Sequence, residues 1–217
     1  MAGKVLVNGQ PVDKPGFYVS TADTLELKGE DIPYVSRGGL KLEAALNRFA
    51  LDVVGKVCMD VGASSGGFTD CLLQHGAERV YAVDVGYGQM AWKLRQNPRV
   101  AVFERTNIRH MPADAIPERV DLIAIDVSFI SLKIVVPAVL RFMNPAGSIL
   151  ALIKPQFEVG KGQVGKGGVV REPQLHQQVI DDLTDFFTSI KLKAEAVFPS
   201  PLLGPKGNRE FFILLRQ

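Results

Sequence analysis

What most constrains this chain is the regular alternation, from Lys56 onward, of short unbroken apolar runs with longer amphipathic ones. Strand-like runs cover Lys56–Val61, Arg79–Val83, Val100–Phe103, Val120–Asp126 and Ser148–Ile153, and Gly67–His75, Gln89–Arg95 and Leu132–Phe142 between them read as helices. A strand with one face in water alternates polar and apolar residues. These runs do not alternate, so both faces are covered and the strands are parallel. Ser36-Arg37-Gly38-Gly39 opens an earlier helix, with Leu42, Ala45, Leu46 and Phe49 spaced for one buried face. A long helix, Pro173–Ile190, carries Leu175, Val179, Leu183, Phe186 and Ile190 on one side. Leu192–Phe198 and Glu210–Leu215 are joined by a Pro/Gly-rich loop instead of a crossover helix, which makes them an antiparallel pair at the end of the sheet. The expected architecture is α/β: a mostly parallel seven-stranded sheet, helices on both faces, and an antiparallel last strand.

Residues 1–30 differ from residues 31–217. Lys4–Gln10 is a short strand running into an Asn8-Gly9 turn, the strongest short-range hairpin signal, and Thr24–Lys28 alternates like a second strand. The boundary falls near Glu30 to Val35. A chain of 217 residues accommodates one full α/β domain with such an extension. The net charge of +2 does not mark a nucleic-acid binder, so any such contact must come from local basic clusters. Cys58 lies in an apolar run and Cys71 follows a Gly-rich turn, so both are expected to be packed and reduced, in a reducing compartment. No apolar signal region opens the chain. The longest greasy stretch, Leu122–Met143, is interrupted by Asp126, Lys133, Pro137 and Arg141, so no membrane span is expected and the reading is of a cytoplasmic protein. His75, His110 and His176 lack ligand spacing, and no metal is assigned. The single Trp92 is read as a packing residue in preference to a base-stacking one.

A candidate cofactor site follows the first core strand. Asp60 precedes Gly62, Ala63, Ser64, Ser65, Gly66, Gly67, Phe68 and Thr69, and this turn opens a helix at the end of the sheet where such folds bind ligands. The spacing is not G-x-G-x-x-G. A carboxylate ahead of the first glycine suits a ligand carrying an ammonium group better than one carrying a pyrophosphate. Asp84 ends the second strand, where it can accept both hydrogen bonds of a ribose diol. Either carboxylate alone could be a solvated strand-end residue; the two with the glycines between them favour a site.

A second constellation could gather at the same end of the sheet. Asp126 ends the fourth strand, Lys154 the fifth, Glu210 begins the last, and Lys41 lies in the first turns of the preceding helix. A lysine after a buried strand loses solvation and should titrate below about 10.4, and a second lysine nearby would push it further, leaving a neutral amine as general base. Carboxylates at 126 and 210 would orient the amines. That chemistry fits an aliphatic hydroxyl, a weak nucleophile that must lose its proton. Methylation of a base amine would call for an N/D-P-P-Y/F turn at Asp126, and no cysteine stands ready to attack a base carbon. The alternative, a surface Lys154 in a merely structural ion pair with Asp126, ranks second because both residues fall at the strand ends flanking the cofactor site.

The series Lys41, Asp126, Lys154, Glu210 resembles the K-D-K-E tetrad of FtsJ-type ribose 2′-O-methyltransferases. Longer phrases are similar to the TlyA group, known both as ribosomal RNA 2′-O-methyltransferases and as hemolysin A: Ser36-Arg37-Gly38-Gly39-Leu40-Lys41-Leu42, Asp60 through Asp70, Asp126-Val127-Ser128-Phe129-Ile130-Ser131, and Lys154-Pro155-Gln156-Phe157-Glu158. The resemblance covers essentially the whole chain. It implies a Rossmann-like class I methyltransferase, S-adenosylmethionine as cofactor, and the ribose of a cytidine in ribosomal RNA or a ribosomal subunit as acceptor. It adds Val85, Asn107 and Ile108 to the cofactor set, with Asn107 at the adenine. It makes residues 1–30 look like the strand-rich half of an S4 RNA-binding module, without the two helices that precede those strands in the family.

Residues 160–168 with Arg171 form a mobile basic loop beside Lys154. The loop reads equally as a flap over RNA phosphates or as a flexible linker. Arg37, Lys161, Lys166 and Arg171 are the candidate RNA contacts. Two rival readings exist. A membrane-active hemolysin needs an amphipathic or spanning element that the sequence does not display. A nicotinamide-dependent oxidoreductase would rest on the Gly-rich turn alone.

Overall fold

The order in which the strands meet is what places the site. In a computed structural model, residues 5–12, 14, 16–27, 32–160 and 162–217 are described. The chain divides into two compact units, Met1–Pro33 and Tyr34–Gln217. In the first, β1 (Val5–Val7) pairs antiparallel with β2 (Gln10–Pro11) and β3 (Leu25–Leu27), in the order β2-β1-β3. Asn8 and Gly9 both have positive φ, 50° and 76°, the hairpin geometry whose twist matches the flanking strands. The Asn8 side chain also accepts from the Thr24 amide at 2.9 Å and donates to Asp23 at 2.8 Å, tying the hairpin to β3. Lys4 and Lys28, expected at the ends of these strands, and Lys161 of the basic loop lie outside the described residues.

The second unit begins with α1 (Gly38–Arg48), which buries Leu42, Ala45 and Leu46 as its spacing requires. Its sheet contains β4 (Val57–Val61), β5 (Arg79–Val83), β6 (Val100–Phe103), β7 (Val120–Ile125), β8 (Met143–Ile153), β9 (Lys193–Pro199) and β10 (Phe211–Arg216). The order is β6-β5-β4-β7-β8-β10-β9. Strands β4 to β8 are parallel, while β10 runs antiparallel to both of its neighbours, β8 and β9. The chain winds one way from β4 through β6 and the other way from β7, so the order switches between β4 and β7. A crevice opens at the carboxyl ends of strands at such a point. Met59, Val61, Ile123, Ile125, Ile149, Ala151 and Ile213 fill the middle of the core. Between strands lie α2 (Gly67–Gln74), α3 (Trp92–Arg95), α4 (Leu132–Val139), α5 (Pro155–Glu158) and α6 (Pro173–Ser189).

The structure corrects several local expectations. The helix expected over Gln89–Arg95 is a single turn, because Ala91 is extended (φ −56°, ψ 137°). In so short a helix only Leu94 faces the core, and Trp92, read as a packing residue, is 70% exposed. The stretch Leu132–Phe142 is α-helical only to Val139 and tightens to a 3-10 turn over Leu140–Phe142. Strand β8 starts at Met143, five residues ahead of the expected Ser148, with a register shift against β7 between Val120 and Leu122. On α6 the fully buried aromatic is Phe187, with Phe186 half-buried beside it. Cys58 and Cys71 are free and buried, and burial pushes both thiols up to about 12.

Candidate active site

Two adjoining cavities, of about 430 and 480 Å³, open at the switch between β4 and β7 and share Gly62, Ser64 and Asp126. The turn after β4 separates them. Gly62 has φ +86°, and any side chain there would run into the carbonyl of Asp126, so the residue has to be glycine on both counts. Ser64 also adopts positive φ, 48°, a strained conformation held by its amide donating to Asp84 Oδ2 at 2.8 Å.

The first cavity is lined by Arg37, Lys41, Asp60, Ala63, Ser65, Gly67, Phe68 and Asp126, with Leu203, Gly204 and Lys206 opposite. Asp60 is fully buried at the end of β4. Its Oδ2 accepts from the Thr69 amide at 2.9 Å and the Thr69 hydroxyl at 2.7 Å, while its Oδ1 is buried without a hydrogen-bond partner. Burial pushes this carboxyl up to about 7 against the two Thr69 hydrogen bonds, and the Asp126 and Asp84 carboxylates add to the rise. A buried acceptor left open fits a cationic donor. Gly66 and Thr69, both expected on the cofactor, line neither cavity. Gly66 faces Met90 and Leu94, and Thr69 is spent on holding Asp60.

The second cavity is lined by Val61, Val83, Asp84, Val85, Gln89, Thr106, Asn107, Ile108, Val127, Ser128, Phe129 and Ile130. Asp84 accepts from the amides of Ser64 and Gly86, at 2.8 and 2.6 Å, which fixes its rotamer and leaves further lone pairs on each oxygen. Val85 stands at the rim, 70% exposed, and Ile108 closes the wall. Asn107 Oδ1 accepts from the Arg109 amide at 3.1 Å, fixing the loop after β6.

The four residues read as catalytic form two ion pairs. Lys154 Nζ lies 2.6 Å from Asp126 Oδ1 and donates to Ser128 Oγ at 3.0 Å. Lys41 Nζ donates to Glu210 Oε2 at 2.5 Å. The carboxylates at 126 and 210 were expected to orient the amines, and each lysine meets one of them. Both pairs are mostly buried, where neither charge is tolerated without its partner. Lys41 and Asp126 line the first cavity, and Lys154 and Glu210 reach it through them. Gly204 packs so closely on the Glu210 carboxylate that a side chain there would displace it.

Of the candidate RNA contacts, Arg37 sits on the first cavity, while Lys166 and Arg171 are exposed. The loop that carries them is less free than its composition suggests. Val169 and Val170 are buried, and Asn208 clamps the loop by accepting from the Val170 amide and donating to the Gly168 carbonyl. Leu203, Gly204 and Lys206 are cavity residues that sequence reasoning missed. Their Pro/Gly-rich context just ahead of Glu210 was the available signal. Ser128 and Phe129 lie in the Asp126–Ser131 phrase but were not assigned to the site, and Thr106 was missed for want of any local signal.

Residues 34–217 match the model of the FtsJ-like methyltransferases. The chain belongs to that family. Among its relatives, the 16S/23S rRNA (cytidine-2′-O)-methyltransferase TlyA of Mycobacterium tuberculosis is 49% identical over 216 residues, 99% of this chain and 81% of that protein. Hemolysin A of Brachyspira hyodysenteriae is 39% identical over 212 residues, 97% of this chain and 88% of that one. A solved structure from Streptococcus thermophilus, described as a candidate hemolysin, superposes with TM-score 0.85 at 45% identity, covering 100% of this chain and 80% of that one. Membership of the FtsJ-like family removes the nicotinamide-dependent reading of the glycine turn. Among the described residues, no helix is long and apolar enough to cross a membrane, and no group of three His, Cys, Asp or Glu could hold a metal ion.

Proposed function

We propose that this chain transfers the methyl group of S-adenosylmethionine to the 2′-hydroxyl of a ribose in ribosomal RNA, that of a cytidine. The observation that carries the reading is the pair of buried Lys–carboxylate contacts at the lip of a cleft whose floor is a glycine turn with an open buried carboxylate. The cofactor, when bound, supplies an electrophilic methyl on a positively charged sulfur. Asp60 would hold its ammonium, Asp84 its ribose hydroxyls, and Val85, Asn107 and Ile108 its adenine ring.

The remaining work falls to side chains of this chain. A ribose hydroxyl must give up its proton as it attacks, and Lys154, once its ammonium has released a proton, is the group to accept it. Asp126 holds that amine from one side and Ser128 from the other. Lys41, fixed by Glu210, faces the same cavity and steadies the oxygen as negative charge develops. Arg37 and Lys206, which line the cavity, and the exposed Lys166 and Arg171 meet backbone phosphates. Residues 1–30 serve as an S4-like RNA-binding extension to a catalytic domain of residues 31–217, and the protein acts where ribosomal RNA is, in the cytoplasm. The names of the TlyA relatives support the acceptor, and the cavity chemistry supports the hydroxyl.

The test is to incubate the protein with S-adenosylmethionine and ribosomal RNA and locate the methyl. A 2′-O-methyl group blocks alkaline cleavage of its own phosphodiester and appears as 2′-O-methylcytidine after nuclease digestion. A methyl found on a base, with alkaline cleavage intact, overturns the reading.

A further inference from the structure

The phrase Lys154-Pro155-Gln156-Phe157-Glu158 has a second acidic end that the chemistry above leaves unused. Glu158 lies on α5, one turn beyond Lys154, and that turn is closed by the Phe157 amide donating to the Lys154 carbonyl at 2.8 Å. Its carboxylate crosses to the loop after β7. Oε2 accepts from Ser131 Oγ at 2.6 Å and Oε1 from the Leu132 amide at 2.8 Å. Three other contacts join the same two segments in the same sense. Asp126 and Ser128 both meet the Lys154 amine, and the Phe129 and Phe157 rings meet in a tilted contact with centroids 4.8 Å apart.

Residues 126–132 and 154–158 are thus laced together from the reacting end to the far end. The loop needs the lacing. Phe129 is 90% exposed and holds a left-handed backbone, φ 64°, which a bulky residue keeps only when its surroundings impose it.

We propose that Glu158 is a positioning residue, the clasp that fixes the distance and orientation of the Asp126–Lys154 pair. The inference rests on the reading of Lys154 as the proton acceptor. A bare helix-capping role accounts for less of the geometry. Ser131 already caps α4 by accepting from the Lys133 amide at 3.1 Å, so the helix has a capping side chain of its own. Glu158 is instead a carboxylate drawn out of water, whose pKa burial raises against its hydrogen bonds from Ser131 and Leu132. Desolvating a carboxylate merely to cap one further amide, that of Leu132, is unfavourable. Joining two loops that carry the two halves of one ion pair is a use that requires this position.

The experiment compares Glu158→Ala, Glu158→Gln and Ser131→Ala with Lys154→Met and the unmodified protein. Turnover is measured at saturating cofactor and RNA, at a temperature where thermal melts show every variant folded, alongside cofactor affinity and KM for RNA. Glu158→Ala should lower kcat roughly ten- to a hundredfold, the range for sub-ångström to ångström misplacement of a catalytic group, with KM and cofactor affinity within about twofold. Glu158→Gln should recover most of the rate, because the amide can accept from Leu132 and donate to Ser131. Ser131→Ala, which removes one of the two bonds, should fall between and gives the same readout if Glu158→Ala does not fold. Normal kcat in Glu158→Ala or Ser131→Ala beside an inactive Lys154→Met overturns the clasp alone, as does equal loss in the Ala and Gln variants of Glu158. Normal turnover in Lys154→Met overturns the reading of the site and the clasp with it.

Discussion

On the Asp60 side of Gly62 the cleft is walled by Arg37, Lys41, Asp60 and Asp126, whereas on the Asp84 side, beyond that carboxylate, it is walled by Val85, Ile108, Val127, Phe129 and Ile130. The charged half is the more constrained. Lys41 and Asp60 are buried there and Asp126 is half-buried; Lys41 and Asp126 are each held in an ion pair, Asp60 Oδ1 waits for a partner, and Arg37 is exposed. The apolar half has an exposed rim and is shaped by loops after β5, β6 and β7. A ligand with one charged end and one flat apolar end can sit in such a cleft in only one direction. Direction matters because the Lys41–Glu210 pair meets only the charged half, while Asp126 of the other pair stands where the two halves join.

If this contrast is right, substitutions in the charged half should change rate or binding steeply and those in the apolar half gently. The largest effect is expected at Lys154. Lys154→Met keeps most of the side chain's length but removes the amine, and turnover should drop by the ~10²–10⁴-fold that loss of a general base brings, with cofactor affinity unchanged by calorimetry. Lys154→Arg should be nearly as damaging, since a guanidinium stays protonated. Near-normal turnover in the Arg variant would mean that the residue acts through charge, with Asp126 next in line as the base.

Asp84 lies where the two halves differ most, a charged group facing the apolar cavity. Asp84→Ala removes a charged acceptor from the ribose hydroxyls and should weaken cofactor binding at least tenfold, on the scale of about 1.5–3 kcal/mol for a charge-assisted hydrogen bond. An unchanged dissociation constant would take Asp84 out of the site.

With the Asp60 carboxyl pushed up to about 7 in the free protein, cofactor affinity should depend on pH. An ammonium binds the carboxylate and not the acid, so binding should be about tenfold weaker at pH 6 than at pH 8 and release a proton at the lower pH. Isothermal titration in buffers of different ionisation enthalpy reads that proton directly. The free fold responds with the opposite sign. A carboxyl raised above its unfolded value of about 4 favours the fold fully below that pH, and the benefit is lost as pH rises through about 7. Flat affinity from pH 6 to 8 would show that Asp60 does not meet a cation.

The smallest effect is expected on the apolar rim. Val85→Ala should weaken cofactor binding only a few-fold, since it forfeits part of about 0.8 kcal/mol for each methyl that the ligand covers. Its thermal midpoint should scarcely move, because the side chain is exposed in the free protein. A loss as large as that of Asp84→Ala would erase the distinction between the halves.

Much of this molecule was legible in the sequence because burial leaves a local periodic record. Unbroken runs such as Leu122–Ile125 could only be strands covered on both faces, and the turn after Asp60 could only be a close approach of backbone to something. The Lys41, Asp126, Lys154, Glu210 series was visible because each member interrupts or borders an apolar stretch, where a charge must have a reason. Tertiary structure alone decided how these pieces meet. It placed β10 between β8 and β9, and so brought Glu210 to Lys41 across 169 positions of sequence. It decided which carboxylate each lysine meets, left Trp92 outside, put Leu203, Gly204 and Lys206 on the cavity wall, and laced Glu158 to Ser131. None of those outcomes is periodic. Each depends on which distant segment arrives alongside, and a strand's own residues record that it is buried but not which strand buries it.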